Sequence, residues 1–238
     1  MEENELPIQQ DGGPNNQETL LQLPDEGELV ITSVEHAKKA KNRYLIWFGD
    51  LSLSVHEDVM IKYRMLKGST FNKQELGEII IADEKQRAYV QAILYLGRKP
   101  RTRQEVAIRL REKEIEEGVI DEIINRLEQE GLLNDAIYAR QWAQQRVSSQ
   151  RKGKVWVRHE LRQKGINKSL ISEALEQISE EEELASAITI GRKKWKQTKG
   201  ERLDRRRKTA AYLMRRGFSS ELVRRAFVEI ENEDGFEE

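Results

Sequence analysis

The sequence has no cysteine and only four prolines in 238 residues, and its hydrophobic share of 37% is below the ~45–50% that is typical of globular domains. The absence of cysteine excludes a disulfide framework, a thiolate zinc site and a cysteine nucleophile. The longest uninterrupted apolar runs, at 44–48 and 92–96, are far shorter than the ~18 residues that span a bilayer. The first basic side chain is Lys38, so the basic start of a signal peptide is also missing. We therefore expect a cytoplasmic protein with several small cores and no membrane segment.

Positive charge is missing from both ends of the chain. Residues 1–37 carry nine acidic side chains and no Lys or Arg, and the residues from 229 onward carry six acids and no base. The middle of the chain is basic instead, since residues 140–168 have a net charge of +8 and residues 192–225 have a net charge of +11. This segregation predicts a middle that faces a polyanion and acidic ends that are solvated. Ordinary solvated helix faces are the alternative interpretation.

The first third of the chain predicts a disordered tail followed by a small α+β segment. Residues 1–27 are rich in Asn, Gln, Gly and acids, so they are expected to be disordered, and the acidic residues 231–238 are expected to form a second tail. Residues 28–81 contain β-type runs at 29–34, 43–48 and 51–55, with a hairpin predicted at Gly49-Asp50. Beyond residue 82 the pattern is helical only.

The helical region repeats itself three times. Leu110, Leu161 and Leu213 are spaced 51 and 52 residues apart, and each is followed three residues later by a basic side chain. Apolar positions downstream keep the same register, so each repeat is predicted to contain three helices, over residues 82–133, 134–178 and 179–230. Capping boxes are predicted at Thr102-x-x-Glu105 and Ser179-x-x-Glu182, N-caps at Asn167 and Ser219, and turns at Gly165 and Gly217. The predicted fold is mostly α: tandem three-helix repeats in an elongated curved array, preceded by a small α+β N-terminal segment.

Three motifs in the repeats resemble a known family. They are Leu132-Leu-Asn-Asp-x-x-Tyr-Ala-Arg-x-Trp142, Arg151-Lys-Gly153 and Arg158-x-Glu-Leu-x-x-Lys-Gly-Ile166. Together with the repeats they resemble the RecX regulators of the RecA recombinase over about residues 29–230. The N-terminal segment, with Val55-x-Glu-Asp-x-x-Ile61 and Ala82-Asp-Glu84, looks like the longer versions of Gram-positive bacteria. A stretch at 196–207 departs from the family by being richer in basic residues.

The resemblance implies a binder rather than an enzyme. Proteins of this family dock along the groove of the RecA filament on single-stranded DNA and limit filament growth, ATP hydrolysis and strand exchange. The resemblance therefore implies a role in homologous recombination, DNA repair and the SOS response. Direct weak DNA binding and a monomeric state are further expectations.

Two basic clusters are the candidate sites for RecA or for phosphate. The cluster of the middle repeat is Arg151, Lys152, Lys154, Arg158 and Arg162, and that of the third repeat is Lys193, Lys194, Arg205, Arg206, Arg207 and Lys208. Solvation alone is the alternative for both. Trp195 lies inside a basic run, so it is a candidate for stacking on bases, with a core position as the alternative. The helical spacing of Tyr138 and Trp142 favours the core, which is also expected for Trp156.

No catalytic, cofactor or metal residues are predicted. His36, His56 and His159 are isolated in the sequence, and neither a phosphate-binding glycine loop nor a nucleophile elbow is present. Three alternatives to a RecA regulator stay open: a stand-alone DNA-binding protein built from tandem three-helix units, a structural helical adaptor and a metal-dependent nuclease. A stand-alone DNA reader needs a recognition helix with side chains aimed at base edges, whereas the predicted second and third helices carry mainly Lys, Arg and apolar residues.

Overall fold

The computed structural model describes residues 14–38 and 40–234. It forms two compact units, one of Met1–Tyr95 with Leu110–Ile123 and one of Leu96–Arg109 with Ile124–Glu238. Within the described residues there are five strands and eleven α-helices. The predictions for residues 1–13 and 235–238 lie outside the described residues.

Two small antiparallel sheets lie within residues 29–71. The strands are β1 (Leu29–Val30), β2 (Ser33–His36), β3 (Arg43–Phe48), β4 (Leu51–His56) and β5 (Thr70–Phe71). β2, β3 and β4 form one sheet in sequential order, and β1 pairs with β5 in the other. The predicted hairpin at Gly49-Asp50 is confirmed, with Phe48 opposite Leu51 and a φ of 66° at Gly49. The sequence pattern did not predict the short strand β5.

The core of the first unit lies between the three-stranded sheet and the start of a long helix. Ile46 and Leu53 are buried on the sheet, and Leu76 and Ile79 are buried on the helix. Arg43 crosses this packing and forms a buried ion pair with Asp83, whose Oδ2 lies 2.8 Å from Arg43 Nη2. The charged pair is also hydrogen-bonded to backbone and hydroxyl groups, as burial of charge requires.

The prediction that residues 1–27 are disordered is wrong for the part of that segment that the structure describes. Helix α1 (Asn16–Gln22) packs on β4, and Asn16 forms two hydrogen bonds of 2.8 Å with the backbone of Ser54. Leu23, which follows the helix, is only 3% exposed. These long-range contacts compensate for the ordering entropy that the local composition cannot offset.

We expect Leu23→Ala to destabilise the first unit. Leucine-to-alanine changes in a core typically cost about 2–5 kcal/mol of the free energy of unfolding, because they remove buried methyl groups and leave a cavity. The matched control is Leu21→Ala in the same segment, since Leu21 is 79% exposed. Urea unfolding of the full chain measures both, and equal midpoints for the two variants would show that Leu23 contributes no core packing.

The helices from residue 73 onward form the three repeats. α2 (Glu57–Lys62) precedes them, and the repeat helices are α3 (Lys73–Leu96), α4 (Arg103–Arg111), α5 (Glu117–Gln129), α6 (Asp135–Gln144), α7 (Lys154–Gln163), α8 (Lys168–Glu176), α9 (Glu180–Gln197), α10 (Arg202–Arg215) and α11 (Ser220–Asp234). A π-helical turn, Gln145–Ser149, continues α6. The boundaries predicted at 82 and 231 fall inside the continuous helices α3 and α11. The prediction of a mostly α fold with tandem three-helix repeats is confirmed.

Capping residues start these helices as predicted. Thr102 and Glu105 exchange side-chain to backbone hydrogen bonds of 3.0 and 3.2 Å, which is the reciprocal pattern of a capping box. Ser179 accepts a hydrogen bond from the backbone N–H of Glu182, and Asn167 accepts one from Ser169. Each contact satisfies a helix N–H that has no intrahelical partner.

Consecutive repeats in the second unit meet through the same kind of joint. The hydroxyl of Thr102, before α4, donates to the carbonyl of Lys164 in the turn after α7, over 2.8 Å. One repeat later, the backbone N–H of Gly153, before α7, donates to the carbonyl of Arg216 after α10, over 2.9 Å. Thr102 and Gly153 occupy equivalent positions eight residues before Leu110 and Leu161, so the internal repeat extends to the contacts between repeats.

Candidate functional site

Three cations of the middle cluster are used inside the protein. Arg151 Nη1 donates to Ser186 Oγ over 3.2 Å, and Ser186 in turn donates to the carbonyl of Val147 in the π-helical turn. Lys152 Nζ lies 3.6 Å from the ring centroid of Trp156. Burial and the nearby charge of Arg216 lower the pKa of Lys152. These contacts fix the loop between α6 and α7.

Lys154 is the third of these cations. Its Nζ donates to the carbonyl of Ile178 over 2.6 Å, and its backbone N–H donates to Glu183 Oε1 over 2.7 Å. Glu183 is 6% exposed and thereby caps the start of α7. Burial raises the pKa of Glu183, and the hydrogen bond from Lys154 opposes that rise. Lys154 therefore stabilises the contact between α7, α8 and α9.

Arg158 and Arg162 differ from their neighbours. Both are exposed on α7, four residues apart, while the preceding residues Val157 and Leu161 are fully buried. Neither guanidinium forms an ion pair with another side chain in the described part of the chain. A long cationic side chain in this position is available to a partner.

Two cations of the third cluster pack on aromatic core residues. Arg205 Cζ lies 4.3 Å from the ring centroid of Trp195, and Arg206 Cζ lies 5.2 Å from that of Phe227. Arg206 also forms an ion pair of 3.4 Å with Glu231, near the end of α11. Both side chains therefore hold α10 against α9 and α11, in addition to any role in binding.

The prediction that Trp195 stacks on bases is wrong in this structure. Trp195 is 2% exposed and packs edge-on against Phe227 at 6.0 Å, with Arg205 over its ring. Base stacking requires a free ring face. The basic run around Trp195 arises because α9 is amphipathic near its end, where Lys193 and Lys196 are exposed while Trp195 faces the core.

Lys193, Arg207 and Lys208 are exposed, as is Arg206, but none of the first three packs on an aromatic core residue of the described chain. Arg207 forms an exposed ion pair of 3.3 Å with Asp204, three residues earlier, which contributes little because solvent screens it. Lys193 and Lys208 have no ion pair within the described residues. Lys194 is partly buried, with its Nζ 5.8 Å from the ring centroid of Tyr212.

Sequence reasoning missed Lys164 as a contact residue. Its Nζ donates to Glu105 Oε1 over 2.7 Å and lies 4.6 Å from the ring centroid of Trp142, which stacks on Tyr138. Burial favours a raised pKa for Glu105, but the hydrogen bonds from Lys164 and from the backbone of Thr102 outweigh it and lower that pKa. The coincidence of Lys113, Lys164 and Arg216 in the repeat alignment was the available signal, since Lys164 and Arg216 both bind the preceding repeat.

Tyr138 and Trp142 lie in or against the core of the middle repeat, as predicted. Trp156 departs from its expected core position, since it is 38% exposed. Among the described residues, no group of three or more His, Asp or Glu is arranged to hold a metal ion. No helix in that part of the chain combines the length and apolar character needed to cross a bilayer.

The fold and these contacts define a tandem three-helix-repeat protein with a small mixed segment before the repeats. Family models described as the first, second and third three-helix domains of RecX match residues 88–127, 134–175 and 180–227. Regulatory protein RecX of Bacillus cereus strain B4264 is 31% identical over 86% of this chain and 78% of its own length. The RecX of Bacillus cytotoxicus is 32% identical over the same shares.

Solved structures agree with these matches. A crystal structure of regulatory protein RecX covers 86% of this chain and 99% of its own, with a TM-score of 0.69 and 28% identity. RecX from Lactobacillus salivarius covers 63% of this chain and 98% of its own, with a TM-score of 0.61 and 28% identity. The chain belongs to the RecX family, which is a family of regulatory proteins and not a known class of enzyme.

Proposed function

We propose that this protein binds the RecA recombinase and its filament on single-stranded DNA, and that it limits filament growth, ATP hydrolysis and strand exchange. The observation that supports this most directly is a set of exposed cations that form no ion pair within the described residues. Arg158 and Arg162 on α7, Lys193 on α9 and Lys208 on α10 are exposed and have no ion pair within the described residues. On this proposal the protein acts as a monomer in the cytoplasm, in recombination, DNA repair and the SOS response, without catalysis of its own.

The physical basis is polyanion binding. A RecA filament on single-stranded DNA presents phosphates, and a cation that neutralises a phosphate releases a condensed counterion. Exposed cations that already have an internal partner gain less from such a contact, because the internal partner must first be lost. The four exposed cations without an ion pair are therefore the residues on which filament binding should depend most.

The experiment is a RecA ATPase titration on single-stranded DNA with the variant Arg158→Ala/Arg162→Ala/Lys193→Ala/Lys208→Ala. Arg205 and Arg206 are kept, because their loss would disturb core packing. We expect inhibition to be largely lost, and the slope of log affinity against log salt to fall by up to about 3, at roughly 0.7 for each phosphate contact on a single strand. The unfolding midpoint should stay nearly unchanged, as is usual for exposed positions.

A matched control removes the same amount of charge elsewhere. Lys38, Lys41, Lys62 and Lys67 are exposed and lie before the repeats, so their fourfold alanine variant should inhibit as the unmodified protein does. Equal inhibition by all three proteins would contradict the proposal. Tight binding to a bare oligonucleotide with no effect on RecA would instead support a stand-alone DNA-binding protein.

A further inference from the structure

One carboxylate in the last turn of α11 is shared by two cations of α10. Glu231 Oε2 accepts a hydrogen bond of 3.2 Å from Arg202 Nη2, and Glu231 Oε1 lies 3.4 Å from Arg206 Nη1. The side chain of Glu231 is 16% exposed, whereas those of Arg202 and Arg206 are 71% and 49% exposed. The two arginines are therefore surface side chains whose charge is offset from within the chain.

Both ion pairs are loosely made. Charge-assisted hydrogen bonds between a guanidinium and a carboxylate are usually about 2.7–2.9 Å long, so the distances at Glu231 are above that range. Glu231 Oε1 is buried and forms no hydrogen bond with any described residue. Pairs that involve exposed side chains contribute little to folding, because solvent screens them. They therefore add little to the packing of α10 on α11, which rests on contacts such as that of Arg206 with the Phe227 ring.

Two of these charges also oppose the dipole of their own helix. Arg202 is the first residue of α10, where the positive end of a helix disfavours a cation. Glu231 is in the last turn of α11, where the negative end of a helix disfavours an anion. The pairing of Glu231 with Arg202 offsets both effects, so it keeps a cation at the exposed start of α10 while no partner is bound.

The phosphate backbone of single-stranded DNA is a suitable competitor for these arginines. A phosphate presents the same kind of oxygen acceptor as a carboxylate, and guanidinium groups bind both in the same geometry. Arg202 and Arg206 are on the same helix as Lys208, one of the cations on which the proposed function rests. A strand that contacts Lys208 therefore meets a helix whose other cations are held by Glu231.

We propose that Glu231 is an autoinhibitory residue, which occupies Arg202 and Arg206 until the phosphates of a single strand displace it. The inference rests on the proposed function for the identity of this partner. It uses contacts of its own, however, because neither arginine is among the four cations of the proposed function. The protein then has a larger DNA-binding surface than it offers while Glu231 is in place.

The test is a gain of binding in Glu231→Gln, which removes the charge and keeps the size of the side chain. Fluorescence anisotropy of a labelled oligo-dT strand with the full chain measures affinity over a range of salt concentrations. We expect binding about threefold or more tighter at low salt, since the loss of two exposed ion pairs no longer opposes it. The slope of log affinity against log salt should steepen by about 0.7–1.4, at roughly 0.7 for each arginine that gains a phosphate.

Glu229→Gln is the matched control. Glu229 is an exposed acid on α11, two residues before Glu231, and it forms no ion pair within the described residues. This substitution changes the net charge by the same amount, so it should leave affinity and salt slope nearly unchanged. The unfolding midpoints of both variants should also stay nearly unchanged.

A second comparison tests the pairing itself. Arg202→Gln should weaken oligo-dT binding little in the unmodified protein, because Glu231 already holds that arginine. In the Glu231→Gln background the same change should remove about half of the gain, which is the coupling expected of two side chains in contact. Arg206 is kept in all variants because it packs on Phe227.

Four outcomes would overturn the proposal. They are oligo-dT affinity of Glu231→Gln no higher than that of the unmodified protein, an equal gain in Glu229→Gln, an equal effect of Arg202→Gln with and without Glu231, and no binding of oligo-dT by any variant. A lower unfolding midpoint of Glu231→Gln without a gain in affinity would show a structural role instead. Failure of the unmodified protein to inhibit RecA would contradict the proposed function and leave these oligonucleotide comparisons unaffected.

Discussion

Gly217→Ala is expected to lower the free energy of unfolding of the second unit by more than about 3 kcal/mol, because it combines backbone strain with a steric overlap. Gly217 has a φ of 88°, a conformation that costs other residues energy. A Cβ there would lie 2.5 Å from the backbone nitrogen of Trp156 and 2.9 Å from its Cα. Backbone atoms at the start of α7 cannot move aside without separating the two repeats.

Two glycine controls separate the strain from the overlap. Gly131 has a φ of 71° with open space around it, so Gly131→Ala should cost only the conformational penalty of about 1–2 kcal/mol. Gly153 lacks a positive φ, but its Cβ would overlap the carbonyl of Gly217, so Gly153→Ala tests the overlap alone. Urea unfolding followed by circular dichroism measures all three. If Gly217→Ala costs no more than Gly131→Ala, the joint between the repeats is not tightly packed.

The sequence predicted the turns of this joint but not the joint itself. Gly165 and Gly217 align between repeats and follow helical runs, which is the local signature of a helix end. The contacts that make them necessary come from residues more than 50 positions away, such as Gln104, whose side chain a Cβ at Gly165 would overlap. Local periodicity does not show which distant residues will contact these turns. The internal repeat does show it once the contacts of one joint are known, because the equivalent positions of the next repeat are then expected to make the same contacts.

The sequence also could not show which members of the basic clusters have partners inside the protein, because those partners come from distant parts of the chain. Net charge along the chain predicted a surface for a polyanion, but it could not separate cations that the fold uses from cations that remain available. Lys154 donates to the carbonyl of Ile178, just after α8, and Arg206 forms an ion pair with Glu231 on α11. Both partners belong to elements that only the tertiary structure brings close. Arg158 and Arg162 follow Lys154 at four-residue spacing on the same helix, but only Lys154, at the start of α7, reaches the carbonyl of Ile178.

Helix α1 shows how tertiary contacts override composition. Its segment is polar and acidic, which locally favours disorder. Asn16, however, pairs with both backbone groups of Ser54 on the edge strand β4, and the carbonyl of Ser54 also accepts a hydrogen bond from Arg43. A pattern of polar residues cannot indicate that the side-chain amide of Asn16 will bind the backbone of an edge strand.

Trp195→Ala is expected to lower the free energy of unfolding of the second unit by about 3–5 kcal/mol, the usual cost of removing a large aromatic side chain from a core. Trp195 is among the largest fully buried side chains, and it contacts Phe227 on α11 while Arg205 of α10 covers its ring. Its loss therefore weakens the packing of all three helices of the third repeat. Trp195→Phe keeps part of this packing and should cost clearly less.

Trp156→Ala is the matched control, because that ring is 38% exposed and its removal leaves a smaller cavity. Urea unfolding gives the stability of each variant, and anisotropy with oligo-dT, recorded under conditions where every variant is folded, gives any loss of DNA binding. A core role predicts that Trp195→Ala is the least stable variant and that Trp195→Phe binds the oligonucleotide as the unmodified protein does. A base-stacking role predicts the reverse pattern, in which Trp195→Ala keeps its stability and loses DNA affinity, because a stacking platform lies at the surface and contributes little to folding.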